Sequence, residues 1–235
     1  MNHCRQAGFS LVEFLFASLI GSLVMLMLMR TLVVVKSGSQ DINLLASLQQ
    51  NERFAFVFLQ HEWGQAGIVT ACQYKKKELF RLQGYYDNQP KAWKNTAKRH
   101  TGMLVIGKCQ RYKGKQVYFP TAYFLGRDNT VKRDSLLKYA LYQKFLGKRR
   151  LKLITGVVAM RLYYWVYQKN NKLKRLLATQ VKHWVNVKEI EAHLLFASIQ
   201  RVPHPNQYFW FNGERKVNSS KHWLHSGVVY VSLQG

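Results

Sequence analysis

Apolar residues run almost unbroken from Phe9 to Met29, and Glu13 is the one formal charge among them. About 20 such residues span a bilayer, so this stretch predicts a membrane-crossing helix. No proline follows before Ala66, and the only glycines between Phe9 and Gly64 are Gly21 and Gly38. Leu44, Leu45, Leu48, Ala55 and Leu59 recur at helical spacing. The pattern predicts one long helix, with a transmembrane part over 9–29 and an amphipathic part over 30–67. Its weak point is expected at Ser37-Gly38-Ser39, and Gly64 and Gly67 mark its end.

From Ile68 the period changes from helical to alternating. Met103–Ile106 and Gln116–Phe119 flank Tyr112-Lys113-Gly114-Lys115, which predicts a hairpin. Val157 to Tyr167 reads as a strand, with Val158, Met160, Leu162, Tyr164 and Val166 on one face and Arg161 on the other. Ala192–Ser198 and Val228–Leu233 predict two more strands. Leu136–Phe145 fits helix or strand, and Lys169–Lys174 and Pro203–Asn206 read as loops. Helix first and strands after is an α+β order: a long helix packed on an antiparallel β-rich domain over 68–235.

A polar leader, Met1–Gly8, precedes the apolar helix. A secretory signal has a shorter apolar core and a small-residue cleavage site after it, which this stretch lacks. A plain signal anchor explains the length but neither Glu13 nor the Gly8–Phe9 junction. A charge inside a membrane helix costs about 2.5–3.5 kcal/mol on insertion scales, which makes Glu13 a functional candidate. Gly8, Phe9 and Glu13, opening an apolar helix, resemble the prepilin processing site of type IV pilins and type II secretion pseudopilins. That resemblance implies cleavage by prepilin peptidase after Gly8, where the missing side chain admits the peptidase to the backbone. It also implies N-methylation of Phe9 and pairing of Glu13 with a neighbouring subunit's amine during assembly. The ordinary alternative for Glu13 is an acid that snorkels to the membrane edge.

Ser47-Leu-Gln-Gln-Asn-Glu-Arg-Phe-Ala-Phe, continuing to Leu59, then Gln65-Ala-Gly67 and Cys72, resembles the PilW family of minor pilins. Leu153–Tyr164, Lys188–Ser198 and Tyr230–Gly235 look like that family's later strands, while Trp63-Gly64 departs from its usual polar turn. The resemblance implies a type IV pilin-like fold, no cofactor and no catalysis. It implies a minor pilin that primes type IV pilus assembly at the pilus tip. Its implied partners are other minor pilins, the major pilin, the inner-membrane assembly platform and the lipid bilayer. The C-terminal domain would lie in the periplasm, and in the pilus after assembly. Two alternatives stay open: a PulJ/GspJ-type secretion pseudopilin, and a membrane-tethered nucleic-acid-binding module that aids DNA capture.

Lys and Arg number 36 against 11 Asp and Glu, a net charge of +25. Arg5 is the only charged residue of the leader, so a processed chain stays strongly basic. Such a balance favours anionic partners without choosing among them. The densest basic runs, interleaved with aromatics, are Tyr74 with Lys75, Lys76 and Lys77; Lys108 to Lys115; and Lys144 to Lys152, which contains Lys148, Arg149 and Arg150. They offer a surface for DNA or acidic glycan, or simply solvated loops. Cys4 belongs to the leader; Cys72 and Cys109 remain. In an oxidising compartment they form one disulfide, worth about 3–4 kcal/mol in the chain-entropy account, or stay as two buried thiols. Glu189 and Glu191 share a strand face and read as solvated surface. His222 and His225 are too few to make a metal site, and no metal or catalytic motif occurs.

Overall fold

The computed structural model describes residues 10–66, 82–87, 90, 93, 97–98, 100–112, 114–128, 137–168, 172–203 and 205–233; side chains are described for all of these except 110–112, 115 and 116. The chain divides into two units, 1–43 and 44–235.

The first unit is helical from Leu11, and the helix α1 is continuous over Leu11–Gly64. Ser37-Gly38-Ser39 does not interrupt it. A Cβ on Gly38 would meet nothing within 4 Å, so nothing there requires a bend. The apolar half is long enough to cross a membrane by length and composition, and none of its apolar window is buried. Its hydroxyls turn back onto the helix: Ser18 donates to the Leu15 carbonyl at 2.9 Å and Thr31 to that of Met27 at 2.9 Å. That arrangement keeps these two hydroxyls hydrogen-bonded on an apolar surface.

In the second unit α1 buries Leu48, Ala55, Leu59 and Trp63, a stripe at seven- and four-residue spacing. Leu45 was expected in that stripe and lies outside it, 43% exposed. Trp63 extends it by one turn instead. Its ring is fully buried and stands edge-on to Tyr123, with centroids 5.9 Å apart. The helix then closes with the Ala66 N–H on the Trp63 carbonyl at 2.8 Å.

Two antiparallel sheets carry the stripe. The first is a meander in chain order of β1 (Leu82–Tyr86), β2 (Gly102–Tyr112), β3 (Lys115–Arg127), β4 (Tyr139–Phe145) and β5 (Arg150–Thr155). Tyr112 pairs with Lys115 across the expected hairpin, but the ladder extends from Met103↔Phe124 outward. Tyr139–Phe145 resolves the ambiguous segment as strand. The second sheet contains β6 (Val157–Tyr167), β7 (Leu173–Leu176), β8 (Val187–Ala197) and β11 (Leu224–Ser232), ordered β11-β8-β6-β7. Leu173 and Lys174, read as loop from sequence, open β7. A separate hairpin pairs β9 (Tyr208–Phe211) with β10 (Glu214–Val217).

Gly156 is the only residue between β5 and β6, where the chain passes from one sheet to the other. Its φ is +81°, and a Cβ there would lie 2.8 Å from the Ala197 carbonyl oxygen, so glycine is required twice over.

One core joins Leu48, Ala55, Leu59 and Trp63 to the facing sides of both sheets, including Leu104, Ile106, Leu125, Met160, Leu162 and Ile190. The far side of the first sheet holds Trp93, Val105 and Phe124. The far side of the second holds Leu195, Ala197 and Leu224 under Phe209 and Phe211 of the hairpin. The expected alternation of β6 fails at one point. The pairing shifts between Val157 and Ala159, and this irregularity puts Val157 in the main core and Val158 on the opposite side.

Candidate functional site

The first turn of α1 carries Glu13. Its Oε2 accepts the Ser10 N–H at 3.1 Å, which places a carboxylate at the positive end of the helix dipole. Leu11, Val12, Phe14 and Phe16 around it are all more than half exposed. An acid on an open apolar stalk suits a partner of opposite charge brought by another apolar helix. Gly8 and Phe9 lie outside the described residues.

A second ionic group fastens α1 to its sheet. Glu62, in the last turn of α1, receives an ion pair from Lys108 of β2. Its Oε2 also accepts from the Tyr123 hydroxyl at 2.6 Å and from Gln143 Nε2 at 3.3 Å, and Gln143 donates to Tyr123 Oη at 3.0 Å. Burial alone would push the Glu62 carboxyl up, but the Lys108 and Tyr123 hydrogen bonds outweigh it and hold the group below the usual carboxylate range. Burial, together with the Glu62 charge, drives the Tyr123 phenol upward. Lys108 opens one of the basic runs that the sequence offers as a surface. It is only 4% exposed and is spent on this latch.

A third group overturns the reading of Glu191 as solvated surface. Glu191 is 3% exposed. Its Oε2 accepts Trp165 Nε1 at 3.0 Å and Arg175 Nε at 2.8 Å, while Oε1 meets Arg175 Nη2 and, at 2.5 Å, His193 Nε2. Tyr163 packs edge-on to the His193 ring, 5.4 Å between centroids, and its hydroxyl reaches Asn212 Oδ1 at 2.5 Å. Burial would raise this carboxyl, yet the Arg175, His193 and Trp165 bonds lower it on balance. Both oxygens are occupied, so the group is a clasp joining β6, β7 and β8. Sequence reasoning missed it because its four residues, Trp165, Arg175, Glu191 and His193, are spread over three strands. The β9–β10 hairpin was missed too, although Asn212-Gly213 between two aromatic or alternating runs is its standard signal; Asn212 has φ +62° and Gly213 +81°.

Of the expected anion-binding residues, Lys148, Arg149 and Arg150 are exposed around the β4–β5 turn. Arg150 is partly committed: it donates to the Arg127 carbonyl at 2.9 Å and stacks 4.5 Å from the Tyr142 ring centre. Lys75, Lys76 and Lys77 lie outside the described residues, as does Cys72; Cys109 is half-buried on β2. Much of the alternation of basic and aromatic residues is consumed internally, with Arg175 over Tyr163 at 3.6 Å, Arg215 over Tyr208 at 3.9 Å and Lys98 over Tyr139 at 4.1 Å. His222 and His225 diverge. The first bonds the Ser198 carbonyl at 2.7 Å and the second meets Glu52 at 2.9 Å. Among the described residues no group of three or more His, Cys, Asp or Glu could hold a metal ion.

A long N-terminal helix, apolar in its first half, with an acid in its first turn and its second half packed on antiparallel sheet, is a type-IV-pilin-like architecture. The family described as the prokaryotic N-terminal methylation motif matches residues 3–29, which include the junction, Glu13 and the apolar run. No curated protein and no solved structure matches the chain.

Proposed function

We propose that this chain is a minor pilin that primes type IV pilus assembly and sits at the pilus tip. The observation that carries the reading is the match of the methylation motif to residues 3–29 on a helix that continues unbroken into a sheet-bound half. In this reading residues 1–8 are a leader, 9–29 cross the inner membrane once, and the β-rich domain is periplasmic. Prepilin peptidase cuts after Gly8, Phe9 is methylated, and Cys72 pairs with Cys109. The partners are other minor pilins, the major pilin and the assembly platform. Glu13 supplies the charge that a neighbouring N-terminal amine needs inside an apolar bundle, where an unpaired ion costs several kcal/mol or more.

Mass spectrometry of the protein from its native membrane, alkylated without reductant, tests the processing and the disulfide together. The expected mass lacks Met1–Gly8, carries one methyl group and shows no alkylated cysteine. An intact Met1, or a cut beyond residue 25, removes the prepilin reading; alkylation of both cysteines rejects the disulfide.

Glu13→Ala separates processing from assembly. Cleavage depends on the Gly8 junction, so the variant is expected at normal mature levels with several-fold fewer surface pili. Normal piliation with the variant as the only copy favours the snorkelling acid. Loss of secretion with intact pili would move the chain to the pseudopilins.

A further inference from the structure

The second sheet ends at β7, and beside that strand the surface opens into a groove of about 750 Å³. This volume falls within the range of about 300–1,000 Å³ occupied by small-ligand sites. We propose that this groove binds an acidic polysaccharide, with two lysines reading its carboxylates and amide side chains reading its hydroxyls.

The lining carries the argument. Lys174 of β7 and Lys182 of the following segment bring the cationic groups, with the His183 imidazole beside them. All three are exposed, and among the described residues no ion pair involves any of them. This sets them apart from Lys108, Lys152 and Arg175, each of which is held by an acid of the same chain. Among the described residues no carboxylate lines the groove. Gln168, Gln180 and Asn186 add amides, each able both to donate and to accept, which is the equipment for hydroxyl-rich ligands. Tyr167, 42% exposed, offers one ring on which a sugar face can lie.

The same lining argues against single-stranded nucleic acid. Such sites need successive rings for successive bases. Among the described lining residues Tyr167 is the one aromatic ring besides the His183 imidazole, since Trp184 is turned edge-on against Tyr164 at 4.9 Å and lines a separate recess. No residue of α1 is among the described residues that line the groove.

The test titrates the full-length protein, in uncharged detergent, with a defined oligogalacturonate, a neutral oligogalactoside and a single-stranded oligonucleotide of equal charge. Lys174→Glu combined with Lys182→Glu is expected to weaken oligogalacturonate binding about tenfold or more. Lys148→Glu with Arg149→Glu, the same charge change elsewhere, is expected to weaken it no more than about twofold. Asn186→Ala and Tyr167→Ala change no charge, and each is expected to weaken it several-fold. The altered side chains are exposed, and an unchanged thermal midpoint verifies folding. Equal losses from the two charge-reversed pairs, or no loss from Asn186→Ala and Tyr167→Ala, would reduce the groove to diffuse electrostatics and overturn the proposal. Tighter binding of the oligonucleotide would overturn it in favour of nucleic acid, and equal binding of the neutral oligomer would remove the role of the lysines.

Discussion

Glu62→Ala is expected to loosen the end of α1 from its sheet and to lower stability by about 3 kcal/mol or more. Removing one member of a buried pair strands the other, at about 3–5 kcal/mol, and Lys108 at 4% exposure has no solvent to return to. The lower end applies because Glu62 keeps 19% of its side chain exposed. In a domain of this size that loss lowers the thermal midpoint by roughly 6–12 °C. Replacing both partners by apolar residues, Glu62→Leu with Lys108→Met, should recover much of it, because no charge then remains buried. If the single and double variants melt together, the latch contributes only through packing.

The latch also predicts a pH dependence. The Glu62 carboxyl is held below its ordinary value of 4.5 in the folded protein. A depressed pKa contributes stability that is full above the unfolded value and is lost as pH falls through the folded one. The stability gap between the protein and its Glu62→Gln variant should therefore be constant from neutral pH down to about pH 5 and narrow below it. Denaturant midpoints at neutral and acid pH measure this, and a gap that widens on acidification would contradict the charge assignment.

Gly84→Ala should be the most damaging small change in the first sheet. A Cβ at Gly84 would stand 2.1 Å from the Tyr164 hydroxyl, 2.5 Å from its Cζ and 2.8 Å from the Trp184 ring. Tyr164 is fully buried on β6 and cannot retreat. Overpacking of this kind costs about 1–3 kcal/mol and occasionally more. The strain falls on β1, a five-residue strand at the edge of its sheet, so amides of Leu82–Tyr86 should exchange with solvent before those of β2 or β3. Tyr164→Phe supplies the contrast. Its hydroxyl is buried with no hydrogen-bond partner, so removing it should be neutral or stabilising. Combining the two changes should recover only part of the loss, because the ring carbon remains too close. Unaltered exchange in Leu82–Tyr86 would show that the sheet accommodates the methyl.

These sites also show how far the sequence could be read. α1 was legible because membrane length, absence of proline and a helical stripe coincide over one segment. β6 was legible because its alternation is strong, and the Tyr112–Lys115 turn because Gly114 punctuates it. What escaped depends on distance along the chain. Lys108 looks like any cation in a basic run until Glu62, 46 residues away, is folded over it. Glu191 looks like surface until Arg175 crosses from β7. Val158 keeps the period of its neighbours, yet the shift at Val157–Ala159 reverses its side, and a local irregularity of pairing has no apolar signature. Trp63 broke a familiar pattern and proved to be the last residue of the buried stripe.

The Arg175 clasp has a further consequence for how the protein survives at high local concentration. A sheet's last strand is a template on which another chain can add, and natural proteins blunt it by shortness and charge. β7 does both: it has four residues, and Lys174 and Arg175 are two of them. Arg175 does more than repel, since its guanidinium is drawn across to Glu191 and stitches the strand to its own sheet. An unstitched β7 would peel away and uncover β6, eleven residues rich in valine and tyrosine, the composition that seeds aggregates. The clasp therefore acts as a guard against fibrous self-association, stationed where the fold would otherwise be open to its own copies.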